Sequence, residues 1–141
     1  CMKIIALLLS PLLVTLPVKA EPGQTKNGVI VHVTAREAAQ LLTTKDEKKR
    51  PLIIDIRTSA EFREGHLEGA RQIDFLEEDF STKVRKLDRT RAYLIHCRSG
   101  GRSSRSLALW KKLGFKKVYH LDGGILAWEK ARHPVVTDKP R

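Results

Sequence analysis

No run of about 18 or more apolar residues occurs in the chain, so no segment reads as a membrane-spanning helix. Cysteine is scarce. Two among 141 residues are too few for a disulfide-stapled scaffold, and no Cys/His group has zinc-finger spacing. Nine glycines and six prolines exclude a collagen-like or proline-rich chain, and no internal repeat is visible. Aromatic residues make up only 6%, and the bases lie scattered in short groups such as Lys48-Lys49-Arg50, Lys83-Val84-Arg85-Lys86 and Lys116-Lys117. A nucleic-acid surface wants a clustered basic face with stacking aromatics, so no nucleic-acid partner is expected. Acids are outnumbered, 16 against 27 Lys and Arg, for a net charge of +11, which favours an anionic partner over a cationic one. What remains is ordinary for a globular chain. It is 41% hydrophobic and 30% charged, with length enough for one core.

The N-terminus has the composition of an address. Lys3 precedes an apolar run from Ile4 to Leu16, and Val18-Lys19-Ala20 then offers small residues before Glu21-Pro22-Gly23. Residues 1–20 therefore read as a secretory signal peptide cut after Ala20, with residues 21–28 a loose arm, 29–136 the domain and 137–141 a tail. An uncleaved anchor is the alternative, opposed by the short run and by Pro11 within it. The expected destination is the periplasm or the exterior, with no stable membrane association after cleavage. Cys1 leaves with the leader, so Cys97 becomes the only thiol. A lone thiol in an oxidising compartment is either buried or used.

Strands and helices alternate along the rest. Val29–Val33 is a β-branched run, and Thr34 with Glu37 fits a capping box opening a helix to Leu42. Leu52–Ile56 and Ala92–His96 read as strands buried on both faces. A short helix from Thr58 stops at Gly65, Ala70–Ile73 is a short strand, and a helix is expected over Phe75–Leu87. Arg102–Leu113 is a helix ended by Gly114, and Lys117–Leu121 is the last strand. Asp122-Gly123-Gly124 turns into a helix to Ala131, and His133-Pro134 closes the structure. This alternation predicts an α/β domain, a parallel sheet with helices on both faces, whose ligands bind beyond the carboxyl ends of its strands. Cys97 lies at such an end, just before a helix.

The loop Cys97-Arg98-Ser99-Gly100-Gly101-Arg102-Ser103 carries the chemistry. Two glycines permit positive φ and let backbone N–H groups turn inward as an anion nest, and the following helix N-terminus adds positive potential. A sulfur at its centre is favoured as thiolate, the nucleophilic form. Arg98, Arg102 and Arg105 add positive charge nearby. His96, the neighbour of Cys97 on a strand, faces the other way and is not a general base.

That loop resembles the active-site loop of the rhodaneses, a family of sulfurtransferases. The resemblance covers roughly residues 30–135 and includes three further segments in order: Leu52-Ile53-Ile54-Asp55-Ile56-Arg57, Glu61-Phe62-Arg63-Glu64-Gly65-His66-Leu67-Glu68-Gly69-Ala70, and Leu121-Asp122-Gly123-Gly124-Ile125-Leu126-Ala127-Trp128. Glu68 and His96 depart from the family's usual residues without touching the loop. The resemblance implies a single domain with a five-stranded parallel sheet. It implies thiosulfate sulfurtransferase activity through a Cys97 persulfide, held by the N–H groups of Arg98, Ser99, Gly100, Gly101 and Arg102. A small anionic donor gives the sulfur and cyanide or a thiol accepts it. The resemblance implies no metal and no organic cofactor, and a monomer is expected.

Asp55, Arg57 and Ser103 are supporting residues. Asp55 either anchors the loop arginines and N–H groups or caps the turn that follows it. Arg57 and Glu61, four apart, are expected to pair with each other. His66 reads as a turn-stabilising side chain, Asp122-Gly123-Gly124 as turn chemistry, and Trp110 and Trp128 as core or pocket wall. Two rivals remain. A Cys-dependent phosphatase or arsenate reductase is opposed by one residue too few between Cys97 and Arg102 and by the lack of a general acid. The other is a sulfur-carrying or interaction module without catalysis.

Overall fold

In the computed structural model, which describes residues 28–138, ten elements follow one another. They are β1 (Val29–Val33), α1 (Ala35–Leu42), β2 (Leu52–Asp55), α2 (Ser59–Glu64) and β3 (Arg71–Gln72), then α3 (Phe80–Arg85), β4 (Ala92–His96), α4 (Gly101–Lys112), β5 (Lys117–Leu121) and α5 (Gly124–Lys130). The expected leader and most of the arm lie outside the described residues. Among those described, no helix is long and apolar enough to cross a membrane.

The strands form one five-stranded sheet in the order β1-β5-β4-β2-β3, parallel at every pairing. Parallel strands need crossovers, and the helices provide them on both faces. Successive residues of each central strand serve opposite cores. Ile54, Tyr93, Ile95 and Val118 pack with Phe80, Val84, Trp110 and Phe115 on the side of α3 and α4. Ile53, Leu94 and Leu121 pack with Ala35, Ala38, Ile125 and Trp128 on the side of α1 and α5. This two-sided burial is why β2 and β4 read as continuous apolar runs rather than alternating ones. The chain leaves β2 outward to β3 and leaves β4 the opposite way to β5. The crevice between the carboxyl ends of β2 and β4 is thus the switch point of the sheet.

Both helices that follow an outer turn start on capping boxes. Thr34 with Glu37 opens α1, and Thr58 with Glu61 opens α2. Two expectations need correction. The helix expected over Phe75–Leu87 starts only at Phe80, because the Asp74 carboxylate accepts the Leu76 N–H at 2.9 Å and Phe75 N–H donates to the Ile56 carbonyl at 3.1 Å. His133-Pro134 does not close the structure. Trp128 Nε1–H donates to the Pro134 carbonyl, and Val136 then forms an antiparallel bridge with His66.

Candidate active site

Cys97 follows β4 directly and is 1% exposed. Its side chain shares a face with Tyr93 and Ile95, toward α4. His96 points to the other face, as alternation requires. Its Nδ1–H donates to the Cys97 carbonyl at 3.1 Å, its Nε2 lies 3.6 Å from Asp55, and burial pushes its pKa down, so the ring is a neutral structural group.

The loop that cups the sulfur turns on Gly100, whose φ of 101° belongs to the left-handed region. That conformation aims Gly100 N–H at the Cys97 Sγ, 3.1 Å away. Ser103, inside the first turn of α4, adds its N–H at 3.5 Å and its hydroxyl at 3.4 Å. Burial pushes the thiol pKa up. The Ser103 hydroxyl and the N–H groups of Ser103, Gly100 and Arg102 outweigh burial and bring the pKa below the ordinary thiol value. The cradle is centred one step further along than the sequence suggests. Gly100, Arg102 and Ser103 form it, whereas Arg98 and Ser99 are exposed. Gly101 has no left-handed φ and open space around its α-carbon, so only Gly100 uses the freedom of glycine here.

A second turn backs the loop. Ile125 N–H donates to the Cys97 carbonyl at 2.9 Å and Leu126 N–H to the Arg98 carbonyl at 3.1 Å. Gly124, with φ 60°, allows this approach. A β-carbon there would stand 2.5 Å from both carbonyl oxygens. Asp122-Gly123-Gly124 is therefore more than a turn between β5 and α5, because it fixes the floor of the cysteine loop.

The arginines are committed elsewhere. Arg102 forms a bidentate pair with Glu61, both contacts at 2.7 Å, rather than reaching over the sulfur. Arg57 does not pair with Glu61. It is buried against Asp55, whose carboxylate takes its guanidinium and its N–H, and it also donates to the Gly65 carbonyl at 2.7 Å. Of the two readings of Asp55, the turn-capping one holds. Asp55 binds Arg57 and none of the cysteine-loop arginines. The Arg105 guanidinium lies over the Phe75 ring, 5.4 Å from its centroid. Positive potential at the sulfur thus comes from N–H groups and the start of α4, not from three free guanidinium charges. Of the three, Arg98 alone has neither an ion pair nor a ring contact among the described residues. It edges a cleft of about 220 Å³ lined also by Arg57, Glu61, Gly65, Leu126 and Glu129. A larger cavity of about 710 Å³ lies along β1 and the start of β5 and includes none of the cysteine-loop residues. His66 supports its turn as expected. Its Nδ1–H donates to the Phe62 carbonyl at 2.9 Å, and its ring stacks on Phe62.

The Glu61–Arg102 pair ties α2 to α4. Arg102, and then Thr58, hold the Glu61 carboxyl at a pKa of about 2, against an ordinary 4.5. A lowered folded pKa means that the pair stabilises the fold above about pH 4.5, and that this contribution is lost as pH falls toward 2. Glu61→Gln keeps the capping box, since Gln serves at that position too, and removes only the charge. We expect it to lower stability at pH 7 by about 1 kcal/mol, given a partly exposed pair. The gap to the parent in urea unfolding should close near pH 2 to 3; a gap independent of pH would show that the charge pair is not the cause.

Sequence reasoning did not find the partner of Ser103. The His120 Nε2 lies 2.7 Å from the Ser103 hydroxyl, and the His120 Nδ1 lies 3.0 Å from Asp122 Oδ1. The available signal was parity along β5, where His120 shares the α4-facing side with Val118.

A parallel sheet with helices on both faces, carrying a buried thiol of lowered pKa in an N–H cradle at its switch point, defines a cysteine-loop α/β domain. The family model for the rhodanese-like domain matches residues 34–131, and the chain belongs to that family. It is 34% identical over 102 residues to the probable adenylyltransferase/sulfurtransferase MoeZ of Mycobacterium tuberculosis, a match over 72% of this chain and only 25% of that protein. It is 30% identical over 100 residues to the thiosulfate sulfurtransferase GlpE of Shewanella oneidensis, covering 71% of this chain and 93% of GlpE. The fold also matches the crystal structure of a rhodanese-related protein from Thermoplasma volcanium with a TM-score of 0.66 at 23% identity, over 77% of this chain and 99% of that one.

Proposed function

We propose that the chain is a sulfurtransferase that carries sulfane sulfur on Cys97, taking it from a small donor such as thiosulfate and passing it to cyanide or a thiol. The cradle supports this most directly. It lowers the thiol pKa at a site that is 1% exposed, where a compact donor is favoured over a bulky one. The Cys97 thiolate attacks the outer sulfur of thiosulfate. A new S–S bond forms, the donor's S–S bond breaks, and its electron pair leaves with sulfite. The persulfide anion stays within reach of Gly100 N–H and Ser103. The acceptor, cyanide or a thiolate, then attacks the outer sulfur and the Cys97 thiolate leaves, which is covalent catalysis in two halves. None of these steps needs a cofactor, and a monomer suffices for them.

The geometry disfavours the phosphatase rival. A phosphoryl group needs an arginine free to bridge two of its oxygens, and Arg102 is spent on Glu61. Mass spectrometry after exposure to thiosulfate tests the proposal. The expected product is the chain plus one sulfur atom, located on Cys97 and removed by cyanide. Thiosulfate that leaves the mass unchanged, with phosphate esters hydrolysed instead, would refute it.

Export belongs to the same proposal, on the strength of the apolar run and the Val18-Lys19-Ala20 site. N-terminal sequencing of protein from the envelope fraction should begin at Glu21-Pro22-Gly23. A full-length membrane-bound product would make residues 4–16 an anchor.

A further inference from the structure

We propose that His32, His120 and Asp122 form a site for a divalent transition-metal ion of the zinc class, joined to the Cys97 sulfur through one imidazole and one hydroxyl. The parallel register sets His32 on β1 directly beside His120 on β5, and the two rings meet edge to face with centroids 4.9 Å apart. Asp122 follows β5 at once and turns back onto them. The His32 Nδ1 lies 2.9 Å from Asp122 Oδ1, the His120 Nδ1 lies 3.0 Å from the same oxygen, and the two ring nitrogens are 3.1 Å apart. Three donor atoms thus form a nearly equilateral triangle. Donors bound to one zinc-class ion at about 2.1 Å stand about 3.4 Å apart in a tetrahedral shell and about 3 Å apart in an octahedral one, so the triangle needs to open by no more than a few tenths of an ångström to form one face of a coordination shell.

The hydrogen bonds around His120 leave that triangle short of hydrogens. The Ser103 hydroxyl has one hydrogen, and it lies within reach of the Cys97 sulfur at 3.4 Å and the Gly100 carbonyl at 3.1 Å. With that hydrogen on either, the 2.7 Å contact between Ser103 Oγ and His120 Nε2 is made by the Nε2–H. A neutral ring protonated there presents a bare lone pair at Nδ1. That lone pair faces the Asp122 oxygen, another lone-pair atom, at 3.0 Å. A cation among the three atoms satisfies all of them. The contact to Ser103 is also the outer partner that a metal-bound imidazole ordinarily has, fixing its tautomer and its orientation.

Two imidazole nitrogens and one carboxylate oxygen suit borderline ions such as zinc better than calcium or magnesium, which prefer oxygen alone. His120 is buried, with a side chain 3% exposed, while the His32 and Asp122 side chains are 56% and 53% exposed. Solvent therefore reaches the outer side of the triangle, where water can complete the shell. The inference does not depend on the sulfurtransferase reading, because it rests on the three ligands and Ser103 alone.

The test uses the full chain without a histidine tag and carries Cys1→Ser along with Cys97→Ser, so that neither thiolate can act as the ligand. Calorimetric titration with zinc chloride should give one ion per chain, and zinc should raise the unfolding temperature, reversibly on adding EDTA. His32→Gln and Asp122→Asn, each added to that double variant, change exposed side chains and should weaken binding at least about tenfold. Their unfolding temperatures without zinc report that the fold is intact. Zinc that fails to bind the double variant overturns the proposal, as does zinc that binds all three chains equally well.

Discussion

Replacing Cys97 with serine is expected to remove thiosulfate-dependent thiocyanate formation altogether, a loss of at least about a thousandfold. No other thiol exists among the described residues to take over, and a serine hydroxyl cannot store a sulfur atom as a persulfide. The fold should survive. Serine is close to cysteine in size, and its oxygen can still accept the Gly100 N–H that now reaches the sulfur at 3.1 Å. Circular dichroism and the unfolding temperature should match the parent within a few degrees, and the adduct of one sulfur atom should be gone. Retention of most activity would refute the Cys97 mechanism. The same thiol gives a pH signature. Activity should fall as pH drops through a thiol pKa held below its ordinary value, and Ser103→Ala should move that midpoint upward, because the Ser103 hydroxyl is the foremost of the groups that lower it.

Gly124→Ala is the second large effect, and it acts without touching any reacting atom. The new methyl would stand 2.5 Å from the carbonyl oxygens of Cys97 and Arg98, and φ at the site is 60°. Backbone strain alone costs about 1–2 kcal/mol for a residue with a β-carbon. The clash adds to this, because backbone cannot swing aside as a side chain can, so the total should exceed about 2 kcal/mol in denaturant unfolding. Relief requires the cysteine loop to move, and displacement of a reacting group by about 1 Å costs on the order of a hundredfold in rate. Gly69→Ala is the matched control. Its φ is 76°, yet nothing lies within 4 Å of the added carbon. It should lose about 1 kcal/mol and no activity. Similar behaviour in the two variants would dispose of the claim that Gly124 holds up the cysteine loop.

Much of this architecture can be read from the sequence because its signals are local. Apolar runs mark β2 and β4, Thr34 with Glu37 marks the start of α1, and Gly114 marks the stop after α4. The cysteine loop is equally visible, since its glycine, helix start and thiol are adjacent in the chain. What stays hidden is long-range. Arg57 and Glu61 have helical spacing, but Arg57 precedes the N-cap Thr58 and so lies outside α2, where the spacing rule has no force. Glu61 pairs instead with Arg102, far away in sequence, and the expected field of three arginines collapses into one ion pair, one ring contact and one exposed side chain. His120 lies 17 residues from Ser103, and only the packing of β5 beneath α4 brings them together. The start of α3 is hidden for a subtler reason. The Asp74 carboxylate competes with helix formation through a turn bond, which a pattern of apolar residues does not reveal.

The strand order also governs when the thiol becomes special. β1 hydrogen-bonds only to β5 within the sheet, so the first strand has no partner until nearly the whole chain is available. Such a topology folds slowly for its size, because long loops must close before any pairing repays them. The N–H groups of Ile125 and Leu126 that brace the cysteine loop arrive even later, with α5. During synthesis the growing chain therefore carries Cys97 as an unexceptional thiol. Its acidity depends on a loop that is braced only when the last turn closes, and any partner that keeps the chain unfolded also keeps that sulfur an ordinary thiol.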